Sequence, residues 1–356
     1  MPPADNVTVH IGGQAFEAWT EVEVSHSIDA FSTLTIKAPM EPDNEDFRKW
    51  FVPFSFADMK AFVGGTEFFR GTMLGVEPEC DAQGRTVTVT AYALPAVLGD
   101  CTLAYKAIPY EFNNVTPEEI LRQVAGAFGI NVELKTDLGG PLTKKAIDPA
   151  AVALDFLVKI VKERNAVLTN TPTGELLCWQ SVKTGSPVGL LHQENIPKIR
   201  SRFSSQDYYS EVTGISAKRR KRDGSEPATE QNPFLRTIKR PLVFKVQNIE
   251  GDGGELSAKA RLGRMFANMA TYELEDLPSW YIPDGSKLWE RNTTVEVYAP
   301  NAMIYKVYEF LVRTVVFKEN RNGRTTSLEL ALPGAFSGEI PDTLPWSPTQ
   351  VTISNQ

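Results

Sequence analysis

Apolar and polar positions alternate with period two along the first hundred residues. VTVHI (7–11), FEAWTEVEVSHSI (16–28) and STLTIKA (32–38) set β-branched and aromatic side chains at every second position, with Gly12-Gly13 breaking the first run. FFRGTMLGVEPE and RTVTVTAYALP continue the pattern on either side of a turn signal, Asp81-Ala-Gln-Gly84. Many short strands joined by turns predict a small barrel or sandwich over residues 1–105.

Near residue 105 the period changes. Thr116-Pro117-Glu118-Glu119 offers an N-cap, a proline at the first helical position and acids in the first turn, so EEILRQVAGAF is expected to be helical as far as Gly129. A short strand, INVEL, follows. Asp148-Pro149 is expected to open a second helix whose Val152, Phe156, Leu157, Ile160 and Val161 form one apolar stripe. AVLTNTPTGELLCWQ reads as a hairpin turning at Pro172-Thr-Gly174. Residues 106–185 thus form a small α/β middle domain.

From residue 186 to about 340 the alternation returns, with a polar loop at 218–233 and a helix, rich in good helix formers, at about 254–274. Asn320-Arg-Asn-Gly323 is a strong hairpin turn between alternating strands. The stretch 341–356 has repeated prolines and little periodicity, and is expected to be an extended C-terminal tail. The fold class is mainly β with an α/β insert: two related β-barrel domains flanking a middle domain.

The two β regions resemble each other. Phe51-Val52-Pro53 recurs as Tyr281-Ile282-Pro283, and GRTVTVTAYALP (84–95) recurs one residue shorter as GRTTSLELALP (323–333). Any two hairpins with a Gly-Arg-Thr turn look alike, but three features recurring in one order favour duplication. Because a one-residue slip flips every side chain, Val87, Val89, Leu328 and Leu330 should all face inward. The missing residue should appear as a bulge or an early exit in one copy.

Composition narrows the function more than it changes the fold. Apolar residues make up 42% of the 356 and charged residues 23%, an ordinary globular balance. No apolar run is long enough to span a membrane, and MPPADNVTVH has neither a basic start nor an apolar core, so no secretory signal is expected. Cys80, Cys101 and Cys178 are too scattered for a zinc site or a disulfide framework, and read as buried inert thiols. The net charge of −7 is uneven: residues 1–100 hold 15 acids and 6 bases, net −9, leaving +2 for the rest.

A search for catalysis returns little. There are three histidines, His10 and His26 in strand regions and His192 in a loop, and the sequence lacks HExxH, GxSxG, GxGxxG, a phosphate loop and an EF-hand. Acid pairs for glycoside cleavage would have to come from Glu77/Glu79 or Glu41/Asp43/Glu45/Asp46, which lie in polar segments where carboxylates stay ionised. No catalytic, cofactor-binding or metal-ligating residue is assigned. The basic run Lys218-Arg219-Arg220-Lys221-Arg222 suits phosphates, yet lacks the interleaved aromatics of single-strand binders and is followed by Asp223-Gly-Ser-Glu226. A salt-bridged contact with an acidic neighbour, such as the first domain of another copy, fits it better.

Taken together, FEAWTEVEVSHSIDAFSTLTIKAP, TPEEILRQVAGAFGI, DFLVKIVKERNAVLTNTPTGELLCW, RTIKRPLVF and YIPDGSKLWE…YKVYEFLVRTVVFKENRNGRTTSLELALPGAF resemble the baseplate hub family of contractile phages. This is the Mu-like tail hub and late control protein D group, with the hub part of type VI secretion spikes more distant. The likeness spans residues 7–336; the basic loop 218–222 and the stretch after 337 fall outside it. The resemblance implies a structural virion protein of the tail baseplate, made in the host cytoplasm, without cofactor or catalytic residues. It implies a homotrimer whose two β-barrels per chain give a pseudo-sixfold ring between a trimeric spike and the tail tube. Tape-measure and baseplate wedge proteins would attach nearby. There would be no membrane contact in the free protein, and DNA would be only passing cargo. The alternatives are a peptidoglycan-degrading tail enzyme and a carbohydrate- or nucleic-acid-binding module.

Overall fold

The computed structural model describes residues 6–82, 84–182, 185–216, 227–246 and 253–347. The basic run at 218–222 and the end of the tail, 348–356, lie outside them. Two compact units divide the chain: Met1–Val161 with Val167–Trp179 and Val316–Thr325, and Lys162–Ala166 with Gln180–Val315 and Thr326–Gln356.

The first unit opens with β1 (Val7–Ile11), β2 (Gln14–Phe16), β3 (Glu21–Ser27), β4 (Thr33–Pro39), α1 (Glu45–Trp50), β5 (Asp58–Val63), β6 (Thr66–Cys80) and β7 (Arg85–Ala93). Their spatial order is β2-β1-β5-β6-β7-β4-β3. The predicted alternation holds through the centres of β3, β4 and β7, where Val22 and Val24, Leu34 and Ile36, and Val87 and Val89 are buried while Glu21, Glu23, Thr35, Thr86 and Thr88 are partly exposed. The run expected over 16–28 breaks at 17–20, between β2 and β3, and at His26, Ser27 and Ile28, which are buried in succession. Each such buried aliphatic side chain contributes about 1.5–3 kcal/mol. The pairing of β6 with β7 shifts register between Met73 and Gly75. A Cβ on Gly71 would come within 2.0 Å of the Tyr92 carbonyl oxygen, so only glycine lets the strands approach there.

The middle segment follows: α2 (Val97–Asp100), β8 (Glu111–Val115), α3 (Pro117–Gly126), β9 (Val132–Leu134), β10 (Leu142–Ala146), α4 (Ala153–Lys162), β11 (Val167–Asn170) and β12 (Leu176–Trp179). The expected start of α3 is a complete capping box. The Glu119 N–H donates to Thr116 Oγ1, and Glu119 Oε2 accepts from the Thr116 N–H. The second helix begins later than its sequence suggests, at Ala153 rather than at Pro149. Asp148 Oδ1 accepts from the Ala150 N–H in a turn, and Val152 bridges to Thr102, which holds this stretch extended.

The second unit contains β13 (Leu190–His192), β14 (Lys198–Phe203), β15 (Glu211–Ser216), β16 (Ala228–Gln231), β17 (Pro241–Val246), α5 (Gly253–Met269), β18 (Ala270–Leu277), β19 (Thr294–Ala299), β20 (Ile304–Asn320) and β21 (Gly323–Ala331). The helix expected over 254–274 ends at Met269. From Ala270 the side chains alternate buried and half-buried, and Tyr272 pairs with Ser201 and Leu330 on either side, so the ladder overrides helix propensity. The tail is less free than expected. Leu344 is buried, the Tyr308 hydroxyl donates to the Thr343 carbonyl at 2.6 Å, and the Tyr305 N–H donates to that of Pro345 at 3.2 Å.

The two units share one strand order. β1-β5-β6-β7-β4-β3 in the first corresponds to β13-β19-β20-β21-β18-β14 in the second. In the second, β15–β17 and α5 are inserted between the partners β14 and β18. One strand is reversed: β1 runs antiparallel to β5, whereas β13 runs parallel to β19. Val87, Val89, Leu328 and Leu330 are all buried, and the polar residues between them are half-exposed. Leu330 and Ala331 are buried in succession near the end of the shorter copy, and each copy has a register shift, in β6 between Met73 and Gly75 in the first and in β18 between Leu274 and Leu277 in the second.

Candidate assembly interface

The residues weighed for chemistry do not converge. His26 is buried, with Nδ1 2.7 Å from Ser32 Oγ and its ring against Phe68 and Phe317. His10 lies against Phe62, and His192, expected in a loop, ends β13 beside Tyr298. Glu77 and Glu79 are exposed on β6, and Glu41, Asp43 and Glu45 are exposed around the start of α1. Among the described residues no group of three His, Cys, Asp or Glu side chains could hold a metal, and no helix is long and apolar enough to cross a membrane. Of the three thiols only Cys178 is buried, and burial pushes it up to about 12; Cys101 is intermediate and Cys80 exposed, which corrects the expectation for that residue. None of the six tryptophans is exposed: Trp280 and Trp289 are buried and the other four half-buried.

Exposed apolar side chains lie at several places on the surface, and two groups of them stand out. In the first unit, the loop between α1 and β5 holds Val52, Phe54 and Phe56, with Phe54 89% exposed. Both phenylalanines have left-handed backbones, φ 61° and 50°, at a cost of about 1–3 kcal/mol each. The base of the loop is anchored by packing: Phe51 lies against Phe16 and Phe47 with ring centroids 5.3 and 4.8 Å apart. Aligned on the repeated Pro, Phe54 and Phe56 correspond to Asp284 and Ser286, where the Ser286 N–H caps back to Asp284 Oδ1. In the second unit, Leu190, Tyr298, Tyr305 and Val307 are exposed on β13, β19 and β20, at a register break where three β20 residues face Tyr298.

Charges are arranged in bands across the strands. In the first unit Lys37 on β4 stands opposite Glu21 on β3, and Lys318, near the end of β20, reaches Glu21 and Glu23 at 3.1 and 3.9 Å. In the second unit Glu273 and Glu275 on β18 stand opposite Arg200 and Lys198 on β14. Arg200 lies 3.2 Å from Glu273, and the Lys198 ammonium holds the Glu275 carboxyl below its usual range. The sequence carried this signal as EVEV against KIRSR, but the meaning of the signs required knowing that β3 and β14 correspond. The exposed loop was also legible, as the unalternating FVPFSF.

Residues 95–179 match the family model described as the second domain of gp44-like baseplate hub proteins. The fold is similar to those of solved phage tail proteins. A 43 kDa tail protein of prophage MuSo2 from Shewanella oneidensis is 23% identical, with a TM-score of 0.76 over 93% of this chain and 99% of that one. A tail protein from Neisseria meningitidis MC58 is 18% identical, with a TM-score of 0.77 over 93% and 98%. A type VI secretion component of E. coli, described as structurally similar to T4 tail proteins gp27 and gp5, has a TM-score of 0.55 at 11% identity over 91% and 76%. No curated protein matches by sequence.

Proposed function

We propose, from the premise that the chain carries a gp44-like baseplate hub domain within a phage-tail fold, that it is a structural subunit at the centre of a tail baseplate. Three copies form a ring, with one face seating a trimeric spike and the other meeting the tail tube. The observation that carries this is the shared strand order of the two units. Two related units per chain in a closed threefold assembly present six similar positions, which is what an adaptor between threefold and sixfold partners needs. Tape-measure and wedge proteins bind its periphery, and it resides in the virion tail after synthesis in the host cytoplasm. It is not an enzyme: the carboxylates and histidines weighed for catalysis are dispersed over separate strands and loops.

Light scattering on the purified chain, alone and with its spike protein, tests this. Three copies per particle is the expected result, and a monomer in both samples overturns it. Release of soluble fragments from bacterial cell walls, abolished by replacing one carboxylate, would overturn the non-enzymatic assignment.

A further inference from the structure

Two of the strand edges open among the described residues, those of the end of β6 and of β14, are the counterparts of two edges that pair within the chain. β5 accompanies β6 only as far as Asp58 opposite Thr72, so from Leu74 to Cys80 β6 has β7 on one side and no described strand on the other. β14 has β18 on one side and ends the sheet on the other. In the corresponding places, the end of β20 lies beside β3.

The repeat fixes which residues correspond. Glu79 lies five residues before Gly84, as Lys318 lies five before Gly323. Thr90, six beyond Gly84, stands opposite Thr35 and, through it, Glu23; Glu329, six beyond Gly323, stands opposite Glu273 and, through it, Arg200. Glu23 therefore matches Arg200, and Glu21 matches Lys198. Every sign is reversed: Lys318 against Glu21 and Glu23 within the chain becomes Glu79 against Lys198 and Arg200. Lys37 likewise matches Glu275. The second unit shows two bands, negative then positive, and lacks the negative third that β20 supplies with opposite sign in the first.

We propose that copies of this chain join by strand addition. Residues Leu74–Cys80 of one copy lie along β14 of the next, with Glu79 between Lys198 and Arg200. The exposed Leu74 is covered in the same step. Pro78 contributes no N–H, so the added ladder is short and the charges carry much of the specificity. The contact is head to tail, the type that closes rings. It presupposes the self-assembly proposed above and assigns its surface.

The test is charge reversal in the full chain, read by sedimentation over a concentration series, with thermal unfolding followed in parallel. Glu79→Lys should raise the dissociation constant at least about tenfold, and so should Lys198→Glu with Arg200→Glu. Combining all three should recover most of the loss. Glu79→Lys changes an exposed side chain, so at concentrations where both chains are monomeric its unfolding temperature should match the wild type. A wild-type chain that associates as strongly as both variants overturns this interface and leaves the ring intact. A wild-type chain monomeric at every concentration, with and without spike, overturns both.

Discussion

Asn170 accepts a hydrogen bond from the Ser32 backbone N–H at 2.8 Å, joining β11 to the residue before β4 across 138 positions of sequence. Asn170 is fully buried. Its neighbour Thr169 donates toward the carbonyls of Ser27 and Ala30 at 2.9 and 2.7 Å, and Trp179 Nε1 donates to that of Ile28 at 3.3 Å. The β3–β4 turn is thus held by side chains of a distant hairpin. Asn170→Ala leaves a buried N–H without its acceptor and should cost about 1–3 kcal/mol. Urea unfolding of the purified protein measures it, and an unchanged midpoint would refute it.

Phe54 and Phe56 trade stability for surface. Replacing both by glycine removes two strained backbones and two exposed rings, so the isolated chain should be no less stable, with a gain of up to about 1 kcal/mol. Incorporation into assembled tails should fall sharply. Thermal unfolding and the protein content of purified particles read the two effects separately.

The thiols should separate by reagent access. Cys80 should label first, Cys101 more slowly, and Cys178 only once the protein unfolds, since burial holds it as the neutral thiol up to about pH 12. Mass spectrometry of labelled peptides at increasing urea gives the order. Early labelling of Cys178 would contradict the packing of β12.

Glu175 predicts a pH dependence. Burial alone would raise its carboxyl, but the hydroxyls of Thr171 and Thr173 and its own backbone bond outweigh that, and the net direction is downward. A depressed carboxylate contributes stability that is present above its unfolded pKa and lost as pH falls through the folded one. Glu175→Gln should therefore narrow the stability gap between neutral and acidic pH, visible in unfolding midpoints taken from pH 7 down to pH 3. An unchanged acid limb would count against it.

Much of the fold was legible because alternation and capping are local. The strands of the first unit, the Thr116 cap and the Gly-Arg-Thr repeat all lie within short windows. The misread positions are those where a distant partner decides. Ala270–Leu274 reads as helix until β14 and β21 claim it, and Pro149 reads as a helix start until Thr102 holds Val152 extended. The interface was least legible. EVEV and KIRSR are ordinary strand sequences, and only the shared strand order makes one the inverse of the other.

The division of the long hairpin has a consequence for synthesis. Residues 316–325 belong to the first unit, and Phe317 packs against His26 and Phe68 there. Domains usually fold as they leave the ribosome, amino-terminal first. Here the earliest-made sheet keeps its β3 border uncovered until nearly three hundred further residues have been translated.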